Sequence, residues 1–380
     1  MTASLDRHAN NVSPPDEEKR LGKRRRHRLR RLSGRLLPKW RVAACGRDHL
    51  GPNVTLHRSD CGHHFGGLET CGSVWTCPVC AAKITEGRCA EIEAVLKAHH
   101  EAGGRAYMMT LTIPHAAMQT CQELLDTVRG VWRWVKTGSP WCRAKERSGY
   151  LGDVRALEVT HGANGWHPHL HVLVFLQPGT TDEQATYLAH WFYERWARGV
   201  EGRGYGDCSA GAFTFKPVTE DYGAAQYVGK WGAALELTKA HTKRSRGGRT
   251  PWQILEDCQN GNPRDAALFR DYAKTFKGAR QLTWAGSVRK AYCPEPEAPD
   301  EALAEAPTLP ETQIATLDGK LWTYVLHYDL TADVLLAADG GGVHAVVDLL
   351  RKIGVPFEIS IRHSLERDRM VPWIEWRPPK

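Results

Sequence analysis

Residues 166–175, WHPHLHVLVF, place three histidines at alternate positions and then run directly into an apolar segment. In an extended strand residues i, i+2 and i+4 point to the same face, so His167, His169 and His171 can all face one way. A single strand histidine is usually a packed or surface residue, whereas two imidazoles held side by side can bind a metal ion. The stretch therefore predicts a β-strand with a metal site on one face.

The segment before these histidines offers a carboxylate for the same site. Residues 153–161 and 167–176 are predicted strands, and the Asn-Gly dipeptide between them is a strong signal for a tight hairpin. Antiparallel pairing of the two strands brings Glu158 to the level of His169 and His171. One carboxylate and two imidazoles with open coordination positions favour Mg²⁺ or Mn²⁺ over a closed zinc site.

The elements around this hairpin indicate an α+β domain. Their order along the chain is strand, helix, strand, strand, helix, strand, which is typical of an antiparallel sheet with helices on one face, a ferredoxin-like sandwich. Hydrophobic periodicity predicts helices over 81–102, 117–137 and 182–198, and strands over 106–113, 153–161, 167–176 and 212–218. A further helix is expected over 219–231.

Cysteines are concentrated in the segment before this domain. Of the eleven cysteines, four lie within a span of twenty residues: Cys61, Cys71, Cys77 and Cys80. The last two form a Cys-x-x-Cys pair that can present two thiolates to one zinc ion, and the first two complete a tetrahedral set. His63 or His64 is an alternative to Cys61, and a redox pair is disfavoured because no βαβ pattern surrounds it. We expect a loop-rich zinc module over 41–80.

The net charge of +8 is concentrated near the N-terminus. Twelve Lys or Arg and no acidic residue lie between Lys19 and Arg41, so the rest of the chain is net acidic. Such a run is typical of a disordered arm that binds phosphate backbones without reading sequence, although a solvated tail has the same composition. We expect residues 1–40 to be such an arm. The candidate DNA contacts are Arg24, Arg25 and Arg26, with Lys243, Arg244 and Arg246 in a second basic segment.

The C-terminal part of the chain divides by composition. Residues 238–293 are expected to form a basic loop and a helical extension, 294–310 a Pro/Glu/Ala linker, and 311–380 a small separate α/β unit. No apolar run approaches about 18 residues, and no hydrophobic signal segment follows the polar N-terminus. We therefore expect a cytoplasmic protein with no membrane partner.

Three motifs in a fixed order connect this chain with a known family. They are Leu111-Thr112 within residues 109–114, the His-Pro-His-Leu-His strand, and Tyr227-Val228-Gly229-Lys230. Each motif is weak alone, but together they resemble the rolling-circle replication initiators of plasmids, members of the HUH endonuclease superfamily, of the actinobacterial type. The resemblance covers roughly residues 58–290 and implies that 81–237 form a HUH nickase domain behind the zinc module.

The resemblance implies metal-dependent, site-specific nicking and joining of origin DNA. A divalent ion at His169, His171 and Glu158 would polarise the scissile phosphate. Tyr227 would be the nucleophile, giving a 5′-phosphotyrosine and a free 3′-OH primer. Lys230, three residues on, would share its helix face and stabilise developing charge.

One position departs from the family pattern. Related single-tyrosine initiators have a glutamate one turn before the tyrosine that activates water to end the cycle, and the matching residue here is Gly223. Glu220 or Asp221 is the remaining candidate for that role. Tyr222 lies five residues before Tyr227 and therefore on another helix face, so a single-tyrosine enzyme is expected.

Two alternatives remain open. The protein could be a zinc-containing DNA-binding regulator without catalysis, or a HUH relaxase or transposase with the same chemistry, although a relaxase usually carries its tyrosine before the histidines. The expected partners are plasmid origin DNA, single-stranded at the nick, and the host helicase and polymerase. A host helicase is expected because no Gly-x-x-x-x-Gly-Lys-Ser/Thr loop is present.

Overall fold

The computed structural model describes residues 14–60, 62–218, 248–293, 295–306, 311–365 and 368–378. The helices are α1 (Pro14–Leu36), α2 (Pro78–Glu101), α3 (Cys121–Val135), α4 (Gly138–Ser148), α5 (Asp182–Glu201), α6 (Pro251–Asp257), α7 (Pro263–Phe276), α8 (Val288–Tyr292), α9 (Asp300–Glu305), α10 (Gly319–His327) and α11 (Thr331–Lys352). The strands are β1 (Asn53–Ser59), β2 (Gly62–Gly66), β3 (Arg105–Leu111), β4 (Tyr150–Gly162), β5 (Gly165–Leu176), β6 (Phe213–Val218), β7 (Leu282–Gly286), β8 (Glu311–Asp318), β9 (Phe357–His363) and β10 (Met370–Trp376).

A five-stranded antiparallel sheet forms the centre of the larger unit, in the order β6-β3-β5-β4-β7. The predicted hairpin is confirmed, because β4 and β5 pair with Glu158 directly opposite His169. The turn leaves β4 after Gly162 and enters β5 at Gly165, whose φ of +84° lies in the region that favours glycine. The predicted strands at 106–113 and 212–218 are the neighbours β3 and β6.

Helices cover both faces of this sheet, so the prediction of helices on one face was wrong. Helices α3, α5 and α7 pack on one face, and α2 packs on the other. There, Ile92 and Leu96 of α2 join Met108, Val154 and Leu173 in a separate apolar cluster. The physical reason is visible in β5, whose end is a continuous apolar run, and such runs occur where a strand is buried on both faces.

Described residues of the predicted extension (238–293) and of the predicted linker (294–310) pack against the central sheet and its helices. Strand β7 adds an edge to the sheet beside β4, and Phe269, Tyr272 and Phe276 of α7 are buried in the main core. Helix α9 lies inside the predicted linker 294–310 and packs on α2. Its Asp300 Oδ1 forms an ion pair of 2.9 Å with Arg88 Nη2 of α2. The predicted boundaries at 238 and 294 therefore do not separate structural units.

A second five-stranded sheet joins the two ends of the chain, in the order β2-β1-β8-β10-β9. Strand β1 pairs with β2 on one side and with β8 on the other, so residues 311–380 are not a separate unit. Val54 and Leu56 share one core with Leu317, Trp322 and the helices α10 and α11. Among the described residues no single helix is both long and apolar enough to cross a membrane; α10 and α11, bent by 107°, satisfy length and composition together.

The basic N-terminal segment is a helix, which corrects the prediction of a disordered arm. Leu29 and Leu32 of α1 are buried in the main core. Its cations pair with distant carboxylates: Lys23 Nζ lies 2.7 Å from Asp339 Oδ2, Arg24 Nη2 lies 2.6 Å from Asp333 Oδ1, and Arg25 Nε lies 3.0 Å from Glu256 Oε1. The predicted DNA contacts Arg24 and Arg25 are thus both paired with carboxylates within the protein.

Candidate functional site

The face of the central sheet that carries α2 changes from apolar to polar along β5. Leu173 lies between Met108 and Val154 in the apolar part. Two residues nearer the hairpin turn, His171 lies between Thr110 of β3 and Ala156 of β4, and His169 follows opposite Glu158. The alternation of the strand thus carries the histidines out of the packed region while keeping them on one face.

Glu158, His169 and His171 form a compact cluster at this place. Glu158 Oε2 lies 3.0 Å from His169 Nε2 and 2.9 Å from His171 Nε2. The three possible ligand atoms lie within 4.8 Å of one another, which is the spacing needed to hold one metal ion. The exposed fractions of the three side chains, 22, 12 and 15%, leave the cluster accessible from solvent.

The far sides of both rings are held in place. His171 Nδ1 lies 3.0 Å from Thr110 Oγ1, and His169 Nδ1 lies 3.2 Å from the main-chain oxygen of His167, to which it can donate. Such bonds on one ring nitrogen fix the ring orientation and direct the other nitrogen toward a metal. Both Nε2 atoms converge on Glu158, so the donor set fits a divalent cation.

The electrostatics of the cluster favour an ionised carboxylate. Burial raises the pKa of Glu158, but hydrogen bonds from His169 and His171 outweigh it and hold this pKa well below its usual range. His167 lies at the edge, with its Nδ1 atom 3.2 Å from His115 Nδ1. Burial, followed by the neighbouring His169 and His115, lowers the pKa of His167 to about 4, so this ring is neutral at pH 7.

The residues predicted for nucleophilic attack lie outside the described part of the chain. These are Tyr227, Lys230 and Glu220, and the basic residues Lys243, Arg244 and Arg246 lie there too. The described chain resumes at Gly248, and Arg249 exchanges two main-chain hydrogen bonds of 2.8 Å with His161, three residues beyond Glu158 on β4. The described chain therefore resumes beside the strand that carries Glu158.

Four buried cysteines form a second candidate metal site: Cys45, Cys71, Cys77 and Cys80. Three of their Sγ···Sγ separations are 3.6, 3.7 and 3.7 Å. Sulfurs bound at ~2.3 Å to a tetrahedral zinc ion are ~3.8 Å apart, so this cluster fits zinc. Hydrogen bonds from Cys71 and Cys77 hold the pKa of the Cys45 thiol well below its usual range.

This cluster corrects the predicted ligand set. Cys45 takes the fourth position, while Cys61, which the sequence suggested, lies outside the described residues. Cys45 follows a short 3₁₀ turn (Arg41–Ala43) that packs against α1, and Ser33 Oγ of α1 donates a 2.7 Å hydrogen bond to the Thr76 carbonyl beside Cys77. The N-terminal helix thus supports the site, which proximity along the sequence could not show.

A basic groove on the opposite face of the central sheet was missed by the sequence reasoning. It has a volume of about 510 Å³ and is lined by Arg129, Arg133, Arg155, Lys277 and Arg280, together with uncharged residues. Within the described ranges none of these five cations forms an ion pair. Alternation along β4 puts Arg155 on the other face from Glu158. In the sequence these cations are dispersed, and Arg129 and Arg133 come close to Arg155 only through the fold.

The comparisons with known proteins identify the family to which this chain belongs. The family model described as "Replication protein" matches residues 68–324, and the chain belongs to this family of replication proteins. Protein rep of Streptomyces lividans is 28% identical over 291 residues, which cover 59% of this chain and 64% of that protein. Protein rep of Lentilactobacillus hilgardii is 24% identical over 222 residues, or 56% of this chain and 63% of that protein.

A further relative matches a shorter region. The neomycin resistance protein of Streptomyces cyanogenus is 33% identical over 143 residues, which cover 31% of this chain and 32% of that protein. The chain thus spans less than two thirds of the length of each of these relatives.

Proposed function

We propose that this protein initiates rolling-circle replication of a plasmid by nicking and rejoining origin DNA at a HUH-type site. The observation that carries the proposal is the convergence of His169 Nε2 and His171 Nε2 on Glu158 Oε2 within a replication protein family member. A non-catalytic DNA-binding regulator does not need a solvent-accessible carboxylate and two oriented imidazoles on one sheet face.

The chain's own residues bind and position the DNA strand in this scheme. When bound, a divalent ion such as Mg²⁺ or Mn²⁺ at the cluster supplies Lewis-acid polarisation of the scissile phosphate. Thr110 and the His167 carbonyl hold the two imidazoles for that purpose. A zinc ion held by the four cysteines would fix the start of α2, since Cys77 is the N-cap residue of that helix.

Tyr227 is the proposed nucleophile. Its phenol oxygen forms a bond to the phosphorus while the bond from phosphorus to the 3′-oxygen breaks, and the phenolic proton is released as the 3′-oxygen gains one. The products are a 5′-phosphotyrosine and a 3′-OH primer, and rejoining is the reverse reaction. Lys230 would offset charge on the phosphate, and Glu220 or Asp221 would activate water for termination.

The basic groove replaces the N-terminal arginines as the proposed phosphate-binding surface. Arg155 of β4 and Arg129 and Arg133 of α3 line this groove on the opposite face of the central sheet from the metal cluster, and among the described residues their charges are not neutralised by ion pairs. Cations placed in this way bind a DNA backbone without base readout. The host helicase and polymerase would then unwind and copy the strand in the cytoplasm.

The proposal is tested with supercoiled plasmid that carries the origin and Mn²⁺. Wild-type protein is expected to form open circles and a covalent protein–DNA adduct, which mass spectrometry should map to Tyr227. Tyr227→Phe removes the nucleophilic oxygen and should abolish the adduct, whereas Tyr222→Phe is the matched control and should retain it. If wild-type protein forms no adduct, or if Tyr227→Phe forms as much as wild type, the catalytic assignment is wrong and the regulator alternative stands.

A further inference from the structure

A third cluster of metal-ligand type lies in the second sheet, whereas the proposed DNA site lies in the central sheet. His57 of β1 and His64 of β2 are directly opposite each other, and their ring centroids are 5.4 Å apart. Glu311 begins β8 on the other side of β1. The sheet therefore brings two imidazoles and one carboxylate together from three strands.

The ligand atoms of this cluster converge. His64 Nε2 lies 2.7 Å from Glu311 Oε2, and His57 Nδ1 lies 3.6 Å from Glu311 Oε1, too far for a good hydrogen bond. All three possible ligand atoms lie within 4.8 Å of one another. Two ligand atoms at ~2.1 Å from a tetrahedral zinc ion are about 3.4 Å apart, so small side-chain shifts suffice to hold one ion.

One ring nitrogen of this cluster is buried and lacks a hydrogen-bond partner among the described residues. His57 is 8% exposed, and among the described residues its Nδ1 atom is buried without a hydrogen-bond partner. An unsatisfied buried polar atom costs about 1–3 kcal/mol, and a bound ion is one of the accepted explanations for such an atom. The orphan atom faces Glu311, which is where a shared cation would lie.

Local structure holds His57 in this orientation. Its Nε2 atom lies 2.8 Å from Thr55 Oγ1, which fixes the ring and leaves Nδ1 to face the carboxylate. The pairing of β1 with β8 shifts register between Leu56 and His57, and such a bulge redirects a side chain. Gly66 gives the space, because a Cβ there would lie 2.5 Å from Thr55 Oγ1 and 2.9 Å from His57 Nε2.

We propose that His57, His64 and Glu311 bind a zinc ion that links the N-terminal hairpin to β8. Two histidines and one carboxylate are a known zinc donor set. The three side chains line a cleft of about 610 Å³, which gives the ion a path of entry and leaves room for a water as fourth ligand. The site does not depend on the proposed function, since none of its residues belongs to the sheet with the DNA site.

The test counts bound metal per chain. Full-length protein is loaded with zinc, freed of excess metal and measured by inductively coupled plasma mass spectrometry. We expect His64→Ala and Glu311→Gln each to lose one zinc equivalent relative to wild type, with unchanged nicking activity. His344→Ala, which removes an exposed histidine of α11 in the same unit, is the matched control and should keep the wild-type count.

Cobalt distinguishes this site from the other two. The four-cysteine site gives thiolate-to-cobalt charge-transfer absorption, which His64→Ala should leave intact while one cobalt equivalent without thiolate ligands is lost. His171→Ala should lose a different equivalent. The proposal is wrong if both cluster variants keep the wild-type metal count. It is also wrong if wild-type protein binds only one cobalt ion without thiolate ligands and His171→Ala loses that ion. This second result does not require the cluster variants to fold.

Discussion

The protein contains two clusters of one carboxylate and two imidazoles, and they are built in opposite ways. Glu158 and His169 are 11 residues apart and lie on adjacent strands of one hairpin. His64 and Glu311 are 247 residues apart and lie on strands from the two ends of the chain. We call these the hairpin cluster (Glu158, His169, His171) and the junction cluster (His57, His64, Glu311).

This difference separates a site suited to chemistry from one suited to holding structure. The hairpin cluster forms whenever its hairpin forms, so an ion there closes only a short loop and adds little to folding. An ion in the junction cluster closes a loop of more than two hundred residues, and the entropy that such a link removes from the unfolded chain grows with loop length. We therefore expect the first to control activity and the second to control stability.

The largest expected effect is on DNA nicking. His171→Ala should reduce the initial rate of open-circle formation by ~10³-fold or more, because losing several kcal/mol of metal stabilisation corresponds to that factor. His64→Ala in the junction cluster should leave the rate within about twofold of wild type. Equal losses in the two variants would contradict the division of roles between the clusters.

The four-cysteine site provides a reference for a purely structural metal. Cys80→Ser should release zinc and lower the free energy of unfolding by about 4 kcal/mol or more, because loss of a structural metal is among the most damaging single changes. Denaturant unfolding followed by circular dichroism measures this value. Cys61→Ser is the matched control, and a comparable loss in that variant would restore Cys61 to the ligand set in place of Cys45.

Each cluster has a threonine that orients one histidine, which permits a reciprocal test. Thr110→Val removes the partner of His171 Nδ1, and Thr55→Val removes the partner of His57 Nε2. Loss of such a partner typically weakens metal affinity ~10–100-fold. Competition titrations against a metal-binding dye, with Mn²⁺ for the hairpin cluster and Zn²⁺ for the junction cluster, should show the loss only in the cluster that contains the altered threonine. A loss in the other cluster would mean that the two sites are coupled.

The smallest effect concerns DNA affinity at the sheet that carries the hairpin cluster. Arg129→Ala combined with Arg133→Ala should lower the slope of log affinity against log salt by about 1.8 for duplex DNA, since each phosphate contact contributes about 0.9. Fluorescence anisotropy at several salt concentrations measures this slope. The same change applied to Arg24 and Arg28 of α1, which pair with Asp333 and Glu256, should leave the slope unchanged. If the Arg24 and Arg28 double variant lowers the slope more than the Arg129 and Arg133 double variant, the N-terminal helix is the DNA-binding surface.

The sequence was informative where partners are close along the chain. Period-two alternation and the Asn-Gly turn predicted that Glu158 would meet His169 and His171, because all three lie in one hairpin. Local composition misled for α1, because its run of Lys and Arg is typical of a disordered arm. Their carboxylate partners lie 231 to 316 residues away, at Glu256, Asp333 and Asp339, and no local pattern links them.

Long-range pairing also explains the other errors. Proximity selected Cys61 for the zinc site, although Cys45 reaches the cluster through packing of the segment that follows α1. Strand β2, GHHFG, is short and rich in histidine and glycine, and β1, NVTLHRS, has only two apolar residues, too few for a clear alternating pattern. The junction cluster could not be predicted from local patterns, because its third ligand, Glu311, comes from β8, far along the chain from His57 and His64.

The pairing of β1 with β8 has a consequence for the order of events on the ribosome. A two-stranded hairpin such as β1–β2 is marginally stable alone, and its next strand begins at Glu311, after the whole central sheet has been translated. At ~5–20 residues per second, the nascent hairpin waits roughly 12–50 s for that strand. Strands β1 and β2 therefore lack their next partner in the sheet until β8 has been translated, so the second sheet is completed after the central one.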